Sequence, residues 1–393
     1  MSLAAAFVGS ALFSWMFIPE IQRICVKKGL FDSHDERKIH GGEVPRLGGA
    51  VFLPAMLLSF LLVLSANILF QTSLFSGFDI SSLVEWSLVF SAVILLYLTG
   101  LADDLVDVRY RSKLFIQVLA AVLFTASGIW INNLHGLFGI YEMSAMVGIP
   151  FTIIVVVCVI NAFNFIDGID GLAAGIAMLA FLFFGITCIY LKLYVISILS
   201  FAALGMLIPF FFYNIFGKTS NQSKLFMGDC GSLTIGFLLA AIAVKVYHSA
   251  SMGFEHSPQA LALGFSVLIV PIFDALGVVA LRLIRGRSPF KPDRSHMHHK
   301  LLDLGFSHKM ATLIMLTNAI LFGSITICLV PYLNINLILG IVILLWVVLD
   351  FVLRRKVNRV LSALPENTKT VKLLHREKKE PARRTTPGTE MEV

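Results

Sequence analysis

The stretch LVEWSLVFSAVILLYLTGLADDLVDVRYRSK, Leu83 to Lys113, decides the fold class. Residues 84–100 are an apolar run long enough to cross a bilayer, where the backbone must satisfy its own hydrogen bonds and is therefore helical. The run ends on three carboxylates, Asp103, Asp104 and Asp107, and then on three cations, Arg109, Arg111 and Lys113. A membrane helix that delivers acidic groups to one surface of the bilayer, next to basic residues, is the unit from which the rest of the chain is read.

The unit recurs along the 393 residues. The chain is 57% hydrophobic and only 14% charged, with a mean hydropathy of +0.85, which is more apolar surface than a water-soluble domain can bury. Unbroken Leu/Ile/Val/Phe/Ala stretches, not ten-residue alternating segments, exclude a β-barrel and predict an all-α polytopic integral membrane protein. The expected spans, about eleven of them, cover 3–18, 47–70, 84–100, 114–131, 147–163, 172–190, 194–212, 232–247, 261–284, 311–330 and 333–353. The first lacks a basic leader and a small-residue cleavage site and reads as a retained span, not a signal peptide. Of the 31 Lys and Arg residues, all but Lys192 and Lys245 fall in or beside the loops after the odd-numbered spans or in the tail. The positive-inside rule then puts the N-terminus outside and the C-terminus in the cytoplasm. Residues 1–353 form a transmembrane catalytic domain in this reading. Residues 354–393, beginning RRKVNR and mixed in charge, form a basic cytoplasmic tail, disordered beyond a short helical start. The same topology accounts for the net charge of +7 and the pI near 9.2 without any nucleic acid. Cys25, Cys158, Cys188, Cys230 and Cys328 are scattered and never spaced C-x-x-C, so neither a disulfide framework nor a thiolate metal site is indicated.

Four polar islands fall on the cytoplasmic side: DDLVD (103–107), NAFNFIDGIDGL (161–172), LFMGDCGS (225–232) and PDRSHMHHK (292–300). In the first, continuation of the helix would place Asp103 and Asp107 on one face with Asp104 beside them. Each like-charge contact at 4 Å costs about 4 kcal/mol at an effective dielectric near 20, so the cluster either recruits a cation such as Mg²⁺ or is an exposed acidic loop paired with Arg109, Arg111 and Lys113. In the second, Asp167 and Asp170 each precede a glycine that lets a ligand approach the backbone, and Asn161 and Asn164 add amides one turn earlier. The alternative there is a helix-breaking turn with capping carboxylates. In the third, Asp229 sits at the mouth of a helix as a ligand or as an N-cap. Phe226 beside it is an interfacial aromatic or a platform for a base. The fourth brings Arg294, His296, His298, His299 and Lys300 together. No Cys and no H-E-x-x-H accompany the histidines, and the surrounding cations favour an anion over a metal.

Taken with DERKIHGGEVPRLGG (35–49) in the first loop, the islands resemble those of the polyprenyl-phosphate N-acetylhexosamine-1-phosphate transferases, specifically the bacterial undecaprenyl-phosphate GlcNAc-1-phosphate transferase branch. The resemblance runs from about Asp32 to Ser307 and covers five motifs in order. The sister enzymes that transfer phospho-MurNAc-pentapeptide are similar but differ around P-R-L-G-G and S-P-F-K-P-D-R-S-H-M-H-H. The resemblance implies transfer of a sugar 1-phosphate, GlcNAc-1-phosphate in this branch, from a UDP-N-acetylhexosamine to undecaprenyl phosphate. UMP is released and synthesis of a lipid-linked surface polysaccharide such as O-antigen or a teichoic acid linkage unit begins. It implies Mg²⁺, with Mn²⁺ as a substitute, a bacterial cytoplasmic membrane location with the site on the cytoplasmic face, contact with membrane lipid, and compatibility with a homodimer. Carried over by motif, Asp103 resembles the base at the lipid phosphate, Asp104 its neighbour in the acidic and metal cluster, and Asp229 the principal metal ligand. Asp167 and Asp170 match the acidic pair facing metal and nucleotide, with Asn161 and Asn164 beside them. Asn214 and Phe226 match positions that hold uracil. His298, with His296, His299 and Arg294, matches the loop that holds the phosphates and sugar, and Lys38 adds a contact from the first loop. Met297 departs from the Ile or Leu usual between the histidines, an apolar exchange that leaves their spacing intact. Pro271 in the ninth span is expected to kink a helix bordering a hydrophobic groove for the prenyl chain near Asp274. A membrane prenyltransferase shares acidic metal motifs but has no use for S-H-M-H-H. A nucleotide-sugar transporter places its binding groups near the midplane, often between repeats.

Overall fold

A computed structural model of the chain describes residues 1–31, 44–70, 80–253, 258–284, 286 and 295–363. Lys38 and Arg294 lie outside the described residues, as does the tail from 364 onward. The described part is helical: α1 (Ser2–Lys28), α2 (Phe52–Leu69, entered through a 3-10 turn at Leu47–Val51), α3 (Ile80–Val106), α4 (Tyr110–Ala126), α5 (Ala145–Ile166), α6 (Leu172–Tyr190), α7 (Tyr194–Phe216), α8 (Gly228–Gly253), α9 (Gln259–Phe265), α10 (Ile269–Ile284), α11 (Met297–Asp303), α12 (His308–Leu329) and α13 (Ile335–Ala363). Each expected span coincides with one of these helices or, for the ninth, with α9 and α10 joined end to end. Ten meet the length and hydropathy needed to cross a membrane. The eleventh, α4, has 17 residues, at the short end of that range. α13 runs through residue 353 without a break.

Two local features differ from the sequence reading. α3 stops at Val106, and Asp107 turns into a left-handed conformation at φ 54°, exposed to solvent. Asp103 ends the helix by accepting from the Val108 N–H at 2.7 Å, so the face that would have joined Asp103 to Asp107 does not form. The second feature is a β-hairpin, β1 (Asn133–Leu137) paired antiparallel with β2 (Ile140–Glu142), an element foreign to a purely helical reading. Tyr247 of α8 pins it: its hydroxyl accepts from the Asn133 N–H at 3.0 Å.

α8 is the axis of the bundle. It is largely apolar and buried throughout most of its length, packed on α3 and α5. Small residues let the backbones close. A Cβ at Gly236 would stand 2.9 Å from the Ile160 Cα of α5, and one at Gly205 would meet the Phe7 carbonyl at 2.1 Å where α7 crosses α1. Lys245, one of the two cations that break the charge asymmetry, is explained by the fold: its ammonium pairs with Glu85 of α3 at 2.7 Å. The ninth span breaks where the proline requires it. Pro271 has no N–H for the carbonyl one turn back, and the chain passes from α9 through a 3-10 turn at Ser266–Leu268 before α10 begins.

Candidate active site

The site is assembled by backbone contact between loops far apart in sequence. The Pro45 carbonyl accepts from the Phe226 N–H at 2.9 Å, and the N–H groups of Gly48 and Gly49 donate to the carbonyls of Phe226 and Met227 at 2.9 and 2.8 Å. Only glycine permits this approach, since a Cβ on Gly49 would stand 2.1 Å from the Gly231 nitrogen. P-R-L-G-G therefore fixes the loop that launches α8. Gly100 gives α3 the same intimacy, its would-be Cβ lying 2.5 Å from the Cys230 Cα.

With α3 pressed on the start of α8, Asp104 caps that helix from outside it. One carboxylate oxygen accepts from the Asp229 N–H at 2.9 Å and the other from Cys230 N–H at 3.0 Å. Asp229 is thereby released from capping. Its carboxylate takes the Lys113 ammonium at 2.8 Å and the Asn164 amide at 3.0 Å, and Asn164 also donates to Ser232 at 3.0 Å. The same ammonium reaches Asp103 at 2.7 Å. Asn161 lies one turn deeper, where it joins α5 to α4 by donating to Gln117 at 2.6 Å.

Asp167 and Asp170 sit in the short turn between α5 and α6, and the fold treats them oppositely. Asp170 pairs with Lys224 at 2.5 Å and His308 at 3.3 Å. Burial raises its pKa, but these two partners outweigh that and hold the carboxyl below its ordinary value. Asp167 makes no hydrogen bond or ion pair among the described residues. Burial, followed by the charges of Asp229, Asp104 and Asp170, pushes its pKa well above the usual carboxylate range. Asn214 is buried at 5% exposure, with Oδ1 accepting from the Gly171 N–H at 2.5 Å and Nδ2 donating to the Leu225 carbonyl at 2.7 Å. It braces the acidic turn against the loop bearing Phe226, which is half-buried with Lys224 5.8 Å from its ring centre.

The histidine island closes the site from the far side. Asp274 of α10 receives the His296 Nδ1 at 2.8 Å and the Met297 N–H at 2.8 Å, fixing the start of α11. His298 then packs against the acidic turn: a Cβ on Gly168 would lie 2.6 Å from its Nε2. It is fully buried, its ring centre 4.2 Å from that of His299, and neither of its nitrogens has a hydrogen-bond partner. Burial, then the neighbouring His299, lowers its pKa to about 3, so it is neutral and offers one N–H that lacks an acceptor. Leaving a buried donor unmet costs about 1–3 kcal/mol, a deficit an anionic oxygen would remove.

An apolar cavity of about 440 Å³ runs between α5, α10, α13 and the hairpin, lined by Phe151, Val155, Ile272, Phe273, Leu276 and Val342 among others. None of the polar site residues lines it, and it shares α10 with the site: Phe273 on its wall is the chain neighbour of Asp274.

Lys113 bridges Asp103 and Asp229, Asp104 caps the start of α8 beside them, and Asp167 feels the charges of Asp229, Asp104 and Asp170. Among the described residues no group of three or more His, Cys, Asp or Glu side chains is arranged to hold a metal ion as it stands. The chemistry of the donor set nevertheless suits a hard divalent cation. The donors are carboxylate oxygens, the cluster is short of positive charge, and Asp167 has no partner.

Comparison with known proteins identifies the family. The sequence model of glycosyl transferase family 4 matches residues 86–247, which hold every acidic residue of the cluster. An undecaprenyl-phosphate alpha-N-acetylglucosaminyl 1-phosphate transferase from Pasteurella multocida is 31% identical over 335 residues, covering 83% of this chain and 85% of that protein. The chain belongs to glycosyl transferase family 4. Proteins of the same description from Salmonella typhi and Yersinia pestis are 30% and 27% identical, over 79% and 83% of this chain and 80% and 84% of theirs. The family match stops well short of the histidine island, which joins the site through Asp274 of α10 and the packing of His298 on Gly168.

The sequence-predicted residues Asp103, Asp104, Asp167, Asp170, Asp229, Asn164, Phe226, His296, His298 and His299 converge at one end of the bundle. Asn161 and Asn214 stand behind them as braces. Two participants carry little sequence signal in their own right, Lys224 and His308, and only their shared partner Asp170 identifies them. Lys113 is legible as a cation able to pair with the acidic cluster, and it does so, whereas the role of Asp274 as the anchor of His296 is not.

Proposed function

We propose that the protein transfers a sugar 1-phosphate, most simply GlcNAc-1-phosphate, from a UDP-sugar to undecaprenyl phosphate at the cytoplasmic face of a bacterial inner membrane. The observation that carries this reading is the meeting of the unpartnered Asp167, the Lys113-bridged pair Asp103 and Asp229, and the neutral, unsatisfied His298, in a bundle that also holds an apolar cavity walled in part by α10. Such a site fits a substrate with phosphate at one end and a long hydrocarbon at the other. The names of the relatives, together with the membrane helices, support the acceptor class.

An oxygen of the lipid phosphate attacks the phosphorus that carries the sugar. The bond from that phosphorus to the bridging oxygen breaks, and UMP leaves with that oxygen, so one diphosphate is exchanged for another. Asp229, Asp103 and Asp167 would hold Mg²⁺, which when bound neutralises phosphate oxygens and aligns the two esters. The protein's own contribution is positional and electrostatic. Lys113 bridges Asp103 and Asp229, offsets their mutual repulsion and adds a positive charge. His298 donates its spare N–H to a phosphate oxygen. By the motif resemblance Asp103 would face the acceptor phosphate, but that phosphate is already largely ionised near neutral pH, so removing a proton is not a required step. Phe226 and Lys224 form one side of the nucleotide pocket, with Asn214 supporting the loop from behind.

Purified protein, undecaprenyl phosphate, Mg²⁺ and radiolabelled UDP-GlcNAc should yield UMP and a butanol-soluble labelled product. UMP without labelled lipid, or no turnover with any of a panel of UDP-sugars, sinks the reading. Chelation with EDTA is expected to abolish turnover, with Mg²⁺ and then Mn²⁺ restoring it. The prenyl chain is assigned to the apolar cavity. Leu276→Trp, on its rim, is therefore expected to raise the KM for undecaprenyl phosphate about tenfold, equivalent to roughly 1.4 kcal/mol, with the KM for UDP-GlcNAc little changed. An unchanged lipid KM would place the chain elsewhere.

A further inference from the structure

The last membrane helix contributes a carboxylate to the histidine loop that neither the family match nor the motif resemblance reaches. Asp350 of α13 binds the Lys300 ammonium of α11 through one oxygen and Arg354 Nε through the other, the latter at 2.5 Å. Lys300 is only 7% exposed, and its neighbours Met297, His298 and Leu301 are buried too, so α11 is embedded and this ion pair ties it to α13. The rest of α13 explains the placement. Ile338, Val342, Trp346 and Asp350 recur every fourth residue and form one stripe along the helix. Ile338 and Val342 wall the apolar cavity. Trp346 meets Phe273 edge-on at 6.1 Å and Phe322 at 5.9 Å.

We propose that Asp350 is a positioning residue that holds the histidine loop, through Lys300, to the same helix stripe that walls the lipid cavity. α11 is then held by two carboxylates, Asp274 before His298 and Asp350 beyond it, and both stand on helices that line the cavity. An acceptor chain that fills the cavity presses on the two supports of His298. Acceptor binding and the placement of the donor's phosphates are mechanically joined.

The inference rests on the proposed transferase reading for its kinetic test, and on hydrogen–deuterium exchange for a test that needs no turnover. Asp350→Asn is expected to lower kcat/KM for UDP-GlcNAc about tenfold or more, as loss of a group that orients a functional side chain does, while the thermal midpoint stays near that of the unmodified protein. Exchange at residues 296–304 should quicken, with α12 unaffected. Asp350→Glu should recover most of the activity. Lys300→Met combined with Asp350→Asn should be no worse than the more damaging single variant, because both act through one contact. Full activity and unchanged exchange in Asp350→Asn overturn the proposal. So do losses that multiply in the double variant, or a loss that follows the thermal midpoint and is not recovered by glutamate. If the unmodified protein turns over no UDP-sugar, the transferase reading fails, and the exchange of residues 296–304 alone decides the role of Asp350.

Discussion

Asp167→Asn is expected to abolish turnover, by about 10³-fold, and at the same time to make the folded protein more stable. The loss follows from the position of Asp167, which has no partner of its own and faces Asp229, Asp104 and Asp170. Removing one of the oxygen donors that would hold the divalent ion takes away stabilisation of the charge developing between two phosphates. The gain in stability has the same origin. Because the folded protein raises the pKa of this carboxyl, the native state binds its proton more tightly than the unfolded chain does. The wild type is therefore favoured in acid and loses stability as the pH rises from the unfolded value through the folded one. The asparagine variant has no such loss. Its advantage in thermal midpoint should be small at pH 5 and larger at pH 8, and added Mg²⁺ should narrow the gap by stabilising the wild type alone. A midpoint difference that is constant with pH, or that favours aspartate at high pH, would refute the excess of negative charge assigned to this cluster.

Gly49→Val should be the most damaging single change to the fold. The nearest atoms to a new Cβ are backbone, the Gly231 nitrogen at 2.1 Å and its Cα at 2.3 Å, so no side chain can swing away to make room. Either the Pro45–Gly49 segment lifts off the loop before α8, or α8 shifts away from α3. Both routes break the hydrogen bonds from Gly48 and Gly49 and detach Asp104 from the Asp229 and Cys230 N–H groups. Overpacking of this kind costs ~3 kcal/mol or more, and turnover should fall with it because Asp229 and Lys113 lose their relative placement. Gly340→Ala is the control, since a Cβ there meets nothing within 4 Å on α13 and should be neutral or slightly stabilising. A Gly49→Val protein with unchanged midpoint and activity would show that the first loop does not organise the site.

The bilayer makes the helices legible, since an apolar run long enough to cross it has few alternatives to a helix. The ends of those runs were harder to read. Continuing α3 in register put Asp107 beside Asp103, whereas the Asp103 side chain itself terminates the helix and sends Asp107 to the surface. The hairpin has no alternating pattern to betray it: its turn relies on Phe138 and Gly139 with positive φ, and β1 itself is bent by positive φ at His135 and Gly136. Residue types identified the polar islands, but their pairings are long-range facts. Asp104 and the N–H it caps are 125 residues apart, and spacing gave no reason to separate it from Asp103 or to make it a helix cap. Asn214 illustrates the same limit, because an amide facing a base and an amide bracing two loops are written with the same letter. Gly168 could be read only as a place for close approach, and the structure shows that what approaches is His298.

The Glu85–Lys245 pair has a consequence for how the protein is made. A chain entering the membrane from its N-terminus delivers Glu85 160 residues ahead of the lysine that neutralises it. At roughly 5–20 residues per second, on the order of ten seconds of synthesis separates the two. Throughout that interval α3 must keep a bare carboxylate near the headgroups, which the location of Glu85 in the second turn of the helix allows. Biogenesis of this bundle thus has a built-in waiting period, ended when α8 arrives and the two helices can settle together.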